Sequence, residues 1–318
     1  MSESRRGPDR PDTDRKDPEA VLRRLEWTVL RRLDGYLQGD YRTLFRGFGL
    51  DLADLREYQT HDDVRHIDWN VTARLQIPYV RQYNEDREIT AWFLLDMSPS
   101  MDFGSEGMTK RQILTDFTAT LARVLTRHGN RVGALLYGGN VDTVIPASTG
   151  RRHVLQIVNE MVRRPELSAS PPTDLSELLR AALNIVHTRS FIFLVSDFVS
   201  APGWDGPLNM LSQRHEILAV RPFDPLEVEL PPLGLFVMQD SETGEQVFVD
   251  TADRGFRKRF AQAAEQREIL VRDGLTRPGV DTLEISTQED LVDSILRFTD
   301  LRKRRFRGKA VVPAPVSA

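Results

Sequence analysis

Between residues 89 and 303 the apolar positions fall into two kinds of run that take turns along the chain. Short runs rich in apolar residues, at 89–95, 131–137, 141–146, 191–195, 216–220 and 281–285, are the length of strands and are bounded by polar or glycine-containing segments. Between most of them the apolar residues are spaced by three and four. Ile113, Phe117, Leu121 and Val124 line one face of a helix at 109–128, and further helices are expected at 151–163, 174–188, 205–214, 253–272 and 288–303. Gly138-Gly139-Asn140 reads as a turn joining two of the strands, and 233–250 as a hairpin whose turn is Asp240–Glu245. Strands that alternate with helices predict an α/β architecture, a doubly wound, mostly parallel sheet with helices on both faces.

The N-terminal part is patterned differently. Residues 1–19 are rich in Pro, Asp and Arg and predict a disordered tail. Leu22, Leu25, Val29, Leu33 and Tyr36 then form one helical stripe, which Gly39 and Asp40 end. Residues 42–90 carry short apolar stretches broken by polar clusters and predict a small, mainly β subdomain. The expected division is therefore a tail at 1–19, a helix and β subdomain at 20–88, the α/β domain at 89–303 and a basic C-terminal tail at 304–318.

Composition narrows the chemistry. The 318 residues carry a formal charge of −4 and no cysteine. Disulfides, thiolate metal sites and catalytic thiols are thereby excluded, and no global positive charge points to nucleic acid. The N-terminus lacks the apolar segment of a secretory signal, and no stretch approaches the roughly 18 apolar residues of a membrane span. A soluble, cytoplasmic protein is the expectation. The six histidines show no zinc spacing, and neither a phosphate-binding Gly-x-x-x-x-Gly-Lys-Ser/Thr run nor a Gly-x-Ser-x-Gly elbow is present.

One cluster stands out. Asp96, Ser98 and Ser100 follow the first strand of the α/β region directly, at the end of the sheet where open α/β folds bind ligands. A carboxylate and two hydroxyls there make an oxygen-only cradle suited to a small divalent cation, Mg²⁺ with Mn²⁺ as the alternative. Thr173, in a loop before a helix, and Asp197, directly after strand 191–195, can complete the ligand set. Capping is the competing role: Ser98 or Ser100 for the next element, and Asp174 with Glu177 as a capping box. Asp174 is also an alternative ligand to Thr173.

The order Asp-x-Ser-x-Ser, then Thr, then Asp resembles the metal-ion-dependent adhesion site of von Willebrand factor A domains. That resemblance implies that the two serines and Thr173 contact Mg²⁺ while Asp96 and Asp197 act largely through water. It also implies a free coordination position that takes a carboxylate from a partner protein. A second resemblance rests on Gly49-Leu50-Asp51-Leu52-Ala53-Asp54-Leu55-Arg56-Glu57-Tyr58, continuing through His61-Asp62-Asp63-Val64-Arg65-His66-Ile67-Asp68-Trp69 to Tyr79-Val80-Arg81. This block is similar to the signature of the DUF58 family, from which it departs at Thr60-His61. The likeness implies a von Willebrand factor A-like domain and, from the family's usual genetic neighbourhood, a MoxR-type AAA+ ATPase or its client as partner.

Within the block, Arg56, Glu57, Asp63, Arg65, Asp68 and Arg74 are expected to form an ion-pair network, and Trp69 and Tyr79 to be core or interface aromatics. The run Arg302–Lys309 reads as a helix end whose cations complement the macrodipole, with an anionic surface as the alternative ligand. Taken together, these features predict a non-enzymatic, Mg²⁺-dependent protein-binding module. A Mg²⁺-dependent phosphatase with Asp96 as nucleophile and a scaffold with a vestigial metal site are the alternatives.

Overall fold

The computed structural model describes residues 17–33, 54–59, 64, 67, 69, 72–73, 76–82, 89–105, 107–165, 172–240 and 244–309. They fall into two compact units, one formed by 1–36 with 89–298 and the other by 37–88 with 299–318.

The larger unit is built on a six-stranded sheet. In chain order its strands are β3 (Thr90–Asp96), β4 (Arg131–Tyr137), β5 (Val141–Ser148), β6 (Phe191–Val195), β7 (Glu216–Phe223) and β10 (Asp281–Ser286). They lie in the order β10-β7-β6-β3-β4-β5, all parallel except the edge strand β5, which runs antiparallel to β4. The chain therefore winds outward from β3 in one direction, returns, and winds outward in the other. The reversal falls between β3 and β6, the point at which doubly wound sheets open a ligand crevice.

Strand alternation sends successive side chains to opposite faces. Trp92 and Leu94 of β3 face α4 (Leu175–Ile185) and α5 (Asp205–Ser212) in a cluster that also takes in Val271 and Leu275 of α6 (Arg254–Thr276). On the other face Phe93 stacks on Phe193 with ring centroids 4.8 Å apart, and Phe117 of α2 (Lys110–Arg127) meets Phe193 edge-on at 5.9 Å. α2 packs there with α1 (Pro18–Leu25) and α3 (Arg151–Arg163).

The elements expected from periodicity form, with instructive differences. The first helix begins at Pro18, capped by Asp17, so residues 18 and 19 belong to the helix rather than to a tail. It continues through a π-helical turn, Glu26–Leu30. The wider turn changes the phase of the stripe, so Val29, Leu30 and Leu33 are all buried. The last helix, α7 (Leu291–Lys309), runs past the expected end at 303, because no helix breaker precedes Gly308 and its final turns are rich in Arg and Lys. The hairpin forms as β8 (Leu235–Gln239) and β9 (Gln246–Asp250).

In the smaller unit β1 (Asp54–Glu57) pairs antiparallel with β2 (Tyr79–Gln82). Trp69 is 68% exposed and is not a core residue, whereas Tyr79 is half-buried. Of the expected ion-pair network, Asp63, Arg65, Asp68 and Arg74 and the side chain of Arg56 lie outside the described residues.

Gly133 is paired with Trp92 across β4 and β3, and a Cβ there would lie 2.7 Å from the indole ring. The glycine gives the ring its seat. Gly133→Ala should cost about 1–3 kcal/mol through overpacking, read as a lowered urea midpoint with an unchanged slope.

Candidate functional site

Asp96 is the last residue of β3 and fully buried. Its Oδ1 accepts the backbone N–H of Ser98 at 3.0 Å, which folds the chain back over the strand end. The 3-10 turn Pro99–Asp102 follows. Ser98 precedes that turn without capping it through its side chain, so its hydroxyl is available for other work. Ser98 Oγ and Ser100 Oγ lie 3.1 Å apart, both buried. Arg111 clamps this loop from α2, donating to the Met97 carbonyl at 3.1 Å and to the Asp102 carboxylate.

The neighbouring strand supplies the opposite wall. Ser196 Oγ, just beyond β6, donates to Asp96 Oδ2 at 2.6 Å and accepts from Phe198 N–H at 2.9 Å. Phe198 is held at φ +61°, an unfavourable backbone for a bulky residue, and its ring is buried against Trp204. This tight exit turn carries Asp197, buried, with Oδ1 accepting Val199 N–H at 2.9 Å. Ser100 also helps to hold the Asp197 carboxyl low. Asp96, Ser98 and Ser100 are thus linked to one another, and Ser196 ties Asp96 to the strand end that carries Asp197.

Thr173 reaches the same end of the sheet and is buried. Its carbonyl accepts from Ala201 N–H at 2.8 Å and from Ser200 Oγ at 3.0 Å, tying its loop to the segment after Asp197. Asp174 N–H donates to the Tyr137 hydroxyl at the end of β4. Asp174 itself caps α4 through Ser176 N–H at 2.8 Å, which occupies the alternative ligand as a cap. Glu177 takes no part in a capping box: its carboxylate accepts from Val141 N–H of β5.

Three residues not anticipated from sequence complete the crevice: Ser196, Lys110 and Glu227. Lys110 has no exposed side-chain surface, and its Nζ lies 2.6 Å from Asp197 Oδ2 and 2.6 Å from Glu227 Oε1. Only the helix start at Thr109, which places residue 110 in the first turn beside the strand ends, hinted at this lysine. Glu227, in the 3-10 turn Pro225–Glu227, left no local signal.

The two aspartates are shifted in opposite directions. Burial, and then the Asp197 charge, push the Asp96 carboxyl up to about 6, against the hydrogen bonds from Ser196 and Ser98. Burial also acts to raise Asp197, but the Lys110 ammonium outweighs it and holds Asp197 below the usual carboxylate range. The Lys110 amine, which burial alone would lower, is raised by Asp197 and Glu227. Among the described residues, Asp96 is therefore a buried carboxylate with no ion pair to a cation.

The donor set fits a small hard ion: carboxylates and hydroxyls with no soft ligand. Among the described residues no three His, Cys, Asp or Glu side chains converge as a metal cluster, so any ion here leans on the serine and threonine oxygens. Beside the crevice, a cavity of ≈690 Å³ is lined by Asp197, Glu227, Arg221, Arg254, Arg257 and Lys258 among others. No helix of the described residues is long and apolar enough to cross a membrane.

Comparison with known proteins gives a family and no activity. Uncharacterized proteins of Mycobacterium tuberculosis (strain H37Rv) and Mycobacterium bovis are each 37% identical over 295 residues, covering 93% of this chain and 93% of theirs. Among solved structures, BatB from Bacteroides thetaiotaomicron is similar at 12% identity, with a TM-score of 0.43, over 69% of this chain and 99% of that one. A von Willebrand factor type A protein from Catenulispora acidiphila is similar at 10% identity, with a TM-score of 0.35, over 71% of this chain and 43% of that one. The family model described as "Protein of unknown function DUF58" matches residues 54–269, and with the mycobacterial relatives spanning nearly the whole chain, the protein belongs to the DUF58 family.

Proposed function

We propose that the protein is a non-enzymatic, Mg²⁺-dependent protein-binding module that grips a carboxylate of its partner at the Asp96 crevice. The observation that carries this reading is Asp96, a fully buried carboxylate with no cation partner among the described residues, beside the Ser98, Ser100 and Ser196 hydroxyls at the switch point of the sheet. Asp96, Ser98, Ser100, Thr173 and Asp197 would hold the ion, with Mn²⁺ as a substitute. The bound ion supplies an electrophilic centre for an incoming carboxylate. The residues of the chain orient the hydroxyls and hold Asp197 ionised.

The family likeness supports a MoxR-type AAA+ ATPase, or a client of one, as the partner, with this chain as its adaptor. Phosphatase chemistry is less well supported. Both Asp96 oxygens already accept hydrogen bonds, and Ser98, two residues on, is a poor general acid at neutral pH.

The test is capture of protein partners on the immobilised chain with Mg²⁺, with EDTA, and with Asp96→Ala in the presence of Mg²⁺. The expected result is a partner retained only in the first condition. Retention in all three removes the ion from the mechanism, and phosphatase turnover that Asp96→Asn abolishes would restore the enzymatic reading.

A further inference from the structure

Lys110 occupies an unusual place. It is the first residue of α2, where the helix dipole disfavours a cation, and its side chain is wholly buried. Other contacts also hold the start of α2. α2 is already capped by the reciprocal Thr109–Gln112 pair, and Arg111 already ties its first turn to the Asp102 loop. Burying an ammonium is expensive unless well-placed carboxylates compensate it, and here two do, each at 2.6 Å.

Those two contacts set the charge of the crevice. Asp197 Oδ1 accepts from Val199 N–H and its Oδ2 from Lys110, so part of its negative charge is offset by the lysine. Glu227 differs from its partners in being 24% exposed, at the wall of the adjoining cavity. Among these four side chains, Asp96, Asp197 and Glu227 bring three negative charges and Lys110 removes one, leaving two; the nearby Arg221 is balanced by Glu268 and Glu284.

We propose that Lys110 sets the charge of the crevice toward its ion: shared between Asp197 and Glu227, its ammonium leaves the surplus of negative charge that one divalent cation neutralises. This rests on the metal-binding reading above. Lys110 is a positioning residue, and Glu227 is its counterweight. With Glu227 neutral, the lysine charge falls on Asp197 alone and the crevice keeps one negative charge. Without the lysine it has three. Metal affinity should follow that charge, because opposite charges in a buried site interact far more strongly than in water.

The experiment is calorimetric titration of MgCl₂ into the full chain as wild type, Glu227→Gln, Lys110→Met and the double variant, each checked for folding by circular dichroism. Glu227→Gln should bind Mg²⁺ about tenfold more weakly and Lys110→Met about tenfold more tightly, with the double variant returning close to wild type. A lysine that only braced the fold would weaken binding in every variant. Single variants that move together, or a double variant far from wild type, overturn the proposal.

If Lys110→Met does not fold, Glu227→Gln decides alone: weaker binding supports the proposal, and unchanged or tighter binding overturns it. Wild-type protein that takes up no Mg²⁺ overturns the metal reading and this proposal with it. Wild-type binding with unresponsive variants overturns only the role of Lys110.

Discussion

Millimolar Mg²⁺ should raise the melting temperature of the wild-type protein by roughly 5–10 °C and leave that of Asp96→Asn unmoved. A ligand that binds only the native state stabilises it by RT ln(1 + [L]/Kd), about 2.7 kcal/mol at a hundredfold excess over Kd. In a domain of this size each kcal/mol moves the midpoint by roughly 2–4 °C. Asparagine keeps the shape of the carboxyl and removes the charge that attracts the ion. Without Mg²⁺ the variant should melt no lower than wild type, since burial already disfavours the charged form of Asp96. That comparison separates loss of ion binding from damage to the fold. Equal Mg²⁺ shifts in the two proteins would sink the assignment of Asp96 to the ion.

The α/β sheet was legible because strands buried on both faces are written as unbroken apolar runs, and Phe191–Val195 and Arg131–Tyr137 are such runs. The π turn in the first helix was not, because one additional residue per turn changes burial without changing composition. At the site, Asp96 and Asp197 could be found because each stands directly after a strand, where topology brings neighbouring strand ends together. Lys110 meets Asp197 and Glu227 across separations of 87 and 117 residues. Nothing in a local pattern encodes such a meeting. Ser196 was overlooked beside Asp197, although a hydroxyl next to a strand-end aspartate is well placed to reach the adjacent strand. Glu177 shows the opposite error: a spacing that fits a capping box was drawn away by the free N–H of Val141.

The second large effect concerns Asp116, in the middle of α2 and buried. Its Oδ1 lies 2.5 Å from Arg24 Nη2 of α1, and the neighbouring helix contact is repeated by Arg123 and Glu26 at 2.9 Å. Burial raises the Asp116 carboxyl to about 6 from an unperturbed 3.8, although the half-exposed Arg24 partly counters it. The native state therefore holds this proton more tightly than the unfolded chain does. Stability contributed by the site is greatest below pH 3.8, falls as pH rises through the interval to about 6, and is level above it. At about 1.36 kcal/mol per pH unit, keeping the charge buried at pH 7 costs on the order of 3 kcal/mol. Asp116→Asn mimics the protonated acid, so its stability relative to wild type should rise by about that amount between pH 4 and pH 7. Subtracting the two proteins at each pH, by urea unfolding, removes the contribution of Asp96 and every other shared group. A difference that stays flat with pH would show that Asp116 is no better protonated in the fold than outside it.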